Sequence, residues 1–170
     1  MKPKQRILIA GIGNIFLGDD AFGSEVAREM MRLSLPEGVS VSDFGIRSYD
    51  LAYALMDGVD AAILVDAASR GGRPGTIYVI EPIVSEIDEC GEGVADAHSM
   101  NVVNVLQMVR ALGGAICKIY LVGCEPASLE TEDGRLGLSD TVRAAVPRAI
   151  EIIQSLLTDF LCEGQSVKTN

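Results

Sequence analysis

The chain has no tryptophan, a single histidine (His98) and few aromatic residues of any kind. No apolar run approaches the roughly 18 to 20 residues that span a bilayer, so a membrane protein is not expected. The four cysteines, Cys90, Cys117, Cys124 and Cys162, are scattered without a CxxC pair. That spacing suits neither a zinc site nor a disulfide framework and reads as reduced thiols, with Cys117 and Cys124 bracketing an apolar strand and belonging to or near the core. Positive charge is also scarce: 14 Lys and Arg face 24 Asp and Glu, a formal net charge of -10. Such a surface repels nucleic acid and anionic lipid and suits a basic or metal-bearing protein partner better. The basic residues Lys2, Lys4 and Arg6 are followed only by Ile7 to Ala10 before glycine intervenes. That is too short for the core of a signal peptide, and a cytoplasmic location is expected.

Hydrophobic residues make up 48% of the 170, enough for one substantial core, and a single domain is expected over 1–162 with a frayed tail over 163–170. Apolar periodicity alternates between strand and helix along the chain. Ile7 to Ala10 reads as a strand running into a glycine loop, Ala21 to Leu33 as a helix, and Val39 to Phe44 as a second strand. Leu51 to Met56 reads as a short helix, Ala61 to Val65 as a strand buried on both faces, and Thr76 to Ile80 as a further strand. The acidic, glycine-containing stretch Ser85 to Asp96 reads as an exposed loop. Ser99 is a plausible N-cap for a helix that Gly113 and Gly114 stop, Ile116 to Val122 is a fifth strand, and Ser139 to Leu161 is a long amphipathic helix containing Pro147. The pattern predicts an α/β protein, a three-layer α/β/α arrangement around a mostly parallel twisted sheet of about five strands.

Three potential ligands follow strand or loop ends. Asp20 closes the segment ILIAGIGNIFLGDD, Asp66 follows the apolar run Ala61 to Val65, and His98 stands at a helix entrance. In open α/β sheets ligands bind at the carboxyl edge of the strands, where Asp20 and Asp66 would converge. Taken singly, Asp19 and Asp20 read as solvent-facing loop acids or helix caps, Asp66 as a cap of the following turn, and His98 as a loop residue. Together, one imidazole and two carboxylates form a borderline set suited to nickel, zinc, manganese or iron with coordination positions left open. Such a set holds a metal weakly alone but can complete the shell of a metal already attached to another protein, which points to a protein substrate. The glycine loop is not a dinucleotide fingerprint, because Phe16 stands where GxGxxG needs glycine, and it lacks the lysine of a P-loop. A nucleotide-binding regulator is therefore disfavoured.

The segments GIGNIFLGDDAFG (Gly11 to Gly23), ILVDA (Ile63 to Ala67), DAHSMN (Asp96 to Asn101) and LVGCEP (Leu121 to Pro126) together resemble the hydrogenase maturation endopeptidases over nearly the whole chain. The resemblance implies that Asp20, Asp66 and His98 contact nickel, with Asp20 and Asp66 as catalytic carboxylates of an aspartyl-type peptidase. It implies removal of a C-terminal extension from a nickel-iron hydrogenase large-subunit precursor after nickel insertion. Nickel would be carried by the substrate, with no organic cofactor. The alternative is a nickel-dependent precursor-binding chaperone that cuts nothing. Two departures from the family pattern stand out: aspartate at position 20 where some members have glutamate, and FGIRSYD after the second strand, where Gly45, Ile46 and Arg47 would tune which precursor fits.

Overall fold

The computed structural model describes residues 5–82, 99–129 and 136–166. Five strands form one sheet in the order β2-β1-β3-β5-β4: β1 (Ile7–Ile12), β2 (Val39–Gly45), β3 (Ala61–Ala67), β4 (Ile77–Ile80) and β5 (Lys118–Cys124). The first four in that order pair in parallel, and β4 lies antiparallel on the outer edge of β5. The mostly parallel α/β reading is thus the observed architecture. β4 runs backwards because the stretch 68–76 between β3 and β4 contains no helix, and a parallel return requires a crossover of a dozen or more residues. β1 and β3 are buried along their whole length, as the apolar runs Ile7 to Ala10 and Ala61 to Val65 require of central strands.

Helices cover both faces. On one side α1 (Phe22–Met30) and α4 (Asp140–Ser166) enclose Ile7, Ile9, Ile63, Val65, Phe22, Val26, Ile153 and Phe160. On the other, α2 (Ser48–Met56) and α3 (Ser99–Ala111) enclose Leu8, Ala10, Leu64, Leu51, Leu55 and Leu106. The alternation of Ile7 and Ile9 with Leu8 and Ala10 across these two clusters is the period-2 alternation of a strand sandwiched between layers. Among the described residues no helix is long and apolar enough to cross a membrane.

Several boundaries differ from expectation for local reasons. β5 starts at Lys118 rather than Ile116, because its ladder partner β3 starts at Ala61, opposite Lys118. α1 ends at Met30 rather than Leu33, where Arg32 and Leu33 donate to carbonyls only three residues back and tighten the last turn. α4 is helical through Pro147 and on to Ser166, past the residue at which a tail was expected to begin. Ser139 caps it, its Oγ accepting from Val142 N at 3.4 Å. The acidic stretch from Ser85 to Asp96, and Cys90 with it, lies outside the described residues.

The glycine motif positions the site by close packing as much as by turning. Gly11 is a strand residue of β1, not a turn residue; a Cβ on it would stand 2.4 Å from the Gly23 carbonyl oxygen and 2.6 Å from the Ala27 Cβ. On Gly23 a Cβ would meet the carbonyl oxygens of Val65 at 2.0 Å and Ile12 at 2.2 Å. The first turn of α1 therefore rests directly on the ends of β1 and β3. Gly13 carries the actual reversal, with φ at 146°. These glycines serve helix–sheet packing, which accounts for the motif without a phosphate ligand.

Because the atoms facing Gly23 are backbone and cannot swing away, Gly23→Ala is expected to cost about 3 kcal/mol or more in urea unfolding. A loss under about 1 kcal/mol would show that α1 can lift off the sheet freely, contrary to this packing.

Candidate active site

β1 lies between β2 and β3, so the connections leaving β1 and β3 diverge to opposite sides and open a crevice at their carboxyl ends. A 3-10 turn, Gly18–Ala21, follows β1 and delivers Asp19 and Asp20 to that crevice; Asp66 is the penultimate residue of β3. All three are buried. The reading of Asp19 and Asp20 as solvent-facing acids is therefore overturned.

Asp20 and Asp66 are brought together. Asp20 Oδ2 accepts from Asn14 N at 2.8 Å, and Asp66 Oδ1 accepts from Ala67 N at 2.8 Å. Burial holds the Asp66 carboxyl well above its ordinary value of 3.8, the negative charge of Asp20 raises it further, and the Ala67 N–H opposes both only in part. A carboxyl in this state favours a proton until a cation arrives, and a metal ion reverses that preference. His98 lies outside the described residues, so its place relative to the two acids is not part of the described structure. Among the described residues no three His, Cys, Asp or Glu side chains form a metal cluster.

Asp19 has a different task. Its Oδ2 accepts from Ala127 N (2.8 Å), Ser128 N (3.2 Å) and Ser139 Oγ (2.9 Å), and its Oδ1 from Ser139 N at 2.7 Å. One carboxylate thus ties the loop bearing Asp20 to the segment after β5 and to the N-cap of α4. Glu125, next to Cys124 at the end of β5, does the same for the loop after Asp66. Its Oε2 accepts from Arg70 N and Tyr78 Oη, both at 2.8 Å. Burial alone would raise the Glu125 carboxyl, but Arg70 N, the Tyr78 hydroxyl and the N–H groups of Gly72 and Gly71 outweigh it and keep it below the ordinary carboxylate range. Neither anchor was singled out from the sequence. A signal for Glu125 existed, since an acid ending the apolar run of β5 calls for the same explanation as Asp66.

On the other flank, Asp43 of β2 accepts from Ser24 Oγ at 2.7 Å and Gly45 N at 3.0 Å, joining α1 to the turn after β2. Arg47 closes that turn, donating from Nη2 to Asp43 O at 2.6 Å and from Nε to Phe44 O at 3.1 Å, with Asp50 Oδ2 3.4 Å from Nη1. It both meets an acid and braces the loop. Among the described residues Cys117, Cys124 and Cys162 are reduced thiols, and burial, with Asp19 and Glu125 adding, pushes Cys124 up to about 12. A thiol there stays protonated near neutrality and is no nucleophile.

Two measurements check this division of labour. Asp19→Asn places an amide donor against N–H groups and is expected to cost about 2 kcal/mol or more of stability; an unchanged unfolding midpoint would contradict the anchor. For Asp66 the folded carboxyl binds its proton more tightly than the unfolded one. Its contribution to stability is thus fullest below the unfolded value of 3.8 and is lost as pH rises through the folded value. Relative to wild type, metal-free Asp66→Asn is expected to gain stability as pH rises from about 4. A difference that is flat with pH, or falls, would refute the raised carboxyl.

Comparison with known proteins agrees with this fold. Residues 24–156 match the family model described as hydrogenase maturation protease, HycI. The hydrogenase 2 maturation protease of Escherichia coli is 31% identical over 156 residues, spanning 91% of this chain and 92% of that protein. Among solved structures, the hydrogenase maturating endopeptidase HybD from E. coli superposes with a TM-score of 0.75 at 30% identity, covering 91% of this chain and 93% of the other. The NiFe hydrogenase maturation protease HycI from Thermococcus kodakarensis does so with a TM-score of 0.64 at 26% identity, covering 92% and 95%. Matched along nearly its whole length in sequence and fold, the chain belongs to the hydrogenase maturation protease family and is a peptidase.

Proposed function

We propose that the protein removes the C-terminal extension of a nickel-iron hydrogenase large-subunit precursor once nickel has been inserted, reading the nickel as proof of insertion. The observation that supports this most is the pairing of Asp20 with Asp66, two buried carboxylates at the switch point of the sheet, where the charge of Asp20 adds to burial in raising the Asp66 carboxyl. In this reading the nickel is part of the substrate. It binds between the precursor's own ligands and Asp20, Asp66 and His98, so a nickel-free precursor brings no cation to these acids and binds poorly.

Docking sets the scissile peptide beside these carboxylates. One of them accepts a proton from water as the water oxygen adds to the carbonyl carbon, and returns that proton to the leaving nitrogen as the C–N bond breaks. The rigid anchors Asp19 and Glu125 hold the two loops so that this geometry exists before substrate arrives.

Incubating the protein with nickel-loaded and nickel-stripped precursor and weighing the product by mass spectrometry tests the proposal. The loaded precursor alone should lose a C-terminal peptide, and Asp66→Asn should slow that loss by about 100-fold or more. Normal cleavage by Asp66→Asn would remove Asp66 from the chemistry. Tight binding of the loaded form without any mass change would replace the peptidase reading with that of a nickel-dependent chaperone.

A further inference from the structure

The loop that carries Asp20 also carries three consecutive large apolar side chains toward solvent: Ile15, Phe16 and Leu17, with Phe16 66% exposed. Consecutive apolar residues in a tight loop ordinarily turn at least one side chain inward. Here the backbone is fixed so that none is buried. Leu17 N donates to Asn14 O at 3.0 Å, Phe16 N to the Asn14 side-chain oxygen at 3.0 Å, and Asp20 N to Leu17 O at 3.1 Å. Asn14 N is the donor to Asp20 itself, and Asp19 N donates to Ser128 O at 3.3 Å. Phe16 is thus an apolar knob presented by an already ordered turn, sharing its frame with a site acid. Gly13 N, donating to Gly45 O at 3.0 Å, joins this loop to the next one, where Ile46 is 69% exposed and extends the apolar surface.

We propose that Phe16, flanked by Ile15 and Leu17, is a docking anchor for the folded, nickel-loaded precursor and inserts into an apolar depression beside the precursor's metal. This rests on the function proposed above. Three observations choose that occupant. The knob and Asp20 belong to one hydrogen-bonded turn, so a partner delivering a cation to Asp20 comes up against the loop that presents Phe16. A rigid aromatic side chain with two side-chain torsions loses little entropy on burial, the property of residues that dominate protein interfaces. A second copy of this chain would bring a net charge of -10 against another -10, and an anionic bilayer is repelled likewise.

The test compares wild type, Phe16→Ser, Phe16→Leu and Leu112→Ser for affinity to nickel-loaded precursor and for kcat and KM of its cleavage. Leu112 is also exposed but follows α3 at the opposite edge of the sheet. Phe16→Ser should raise Kd and KM about tenfold or more while kcat stays within about twofold; Phe16→Leu should restore most of the affinity, and Leu112→Ser should change nothing. An unchanged KM in Phe16→Ser would overturn the inference, as would a fall in kcat alone, which would mean that Phe16 only orders Asp20. Sedimentation showing that Phe16→Ser dissolves a wild-type dimer while precursor affinity is kept would assign the knob to self-association and overturn it as well. Wild-type protein that neither binds nor cleaves loaded precursor would instead sink the proposed function, and this inference with it.

Discussion

Two carboxylates buried side by side are the constraint from which the rest of the molecule can be understood. Asp20 and Asp66 arrive from different strands, and each is held by a backbone N–H of its own loop. Ionising both at once is disfavoured, since burial and the charge of Asp20 both raise the Asp66 carboxyl, so the fold must hold the pair in place. The force comes from elsewhere in the fold. β1 and β3 are adjacent central strands, Gly23 lets α1 sit on both of their ends, and Asp19 and Glu125 pin the flanking loops to the end of β5 and the start of α4. The energy that packs the core is thereby available to hold an electrostatic arrangement that would otherwise relax.

Such a site is poised rather than complete. Burial disfavours the ionised form of Asp66 that a ligand or a base requires, and an approaching cation would favour that form. In the function proposed above, the site's competence would be coupled to the metal that comes with the substrate, and a metal-free precursor would gain nothing from entering. The coupling needs no moving part beyond a proton. It also explains why the anchors are hydrogen-bonded carboxylates in their own right: Asp19 and Glu125 are satisfied by backbone N–H and hydroxyl donors, so they do not compete for the incoming ion.

Much of this could be read from the sequence, and the limits have physical causes. Element order and type followed from periodicity because β1 and the run Ala61 to Val65 of β3 carry no polar side chain and the helices are amphipathic. Asp66 stood out because an acid rarely ends such a run. Asp20 could be named as a candidate, but its burial could not be foreseen, since nothing in GDDA distinguishes a buried turn from an exposed one. Asp19 was passed over because its partners Ala127, Ser128 and Ser139 are more than a hundred residues away, and no local pattern encodes a contact of that range. The antiparallel course of β4 was open for a related reason, since strand direction depends on what the intervening chain can span rather than on the strand's own residues.

The central claim is that the buried acids recognise the substrate's metal, and a binding cycle tests it most directly. Affinities of wild type and of Asp66→Asn would be measured for the same large-subunit precursor with and without nickel. The account predicts a marked preference of the wild-type protein for the loaded form that is largely lost in Asp66→Asn, a coupling between one carboxylate and one ion. An undiminished preference in Asp66→Asn would contradict it and place recognition of the metal elsewhere.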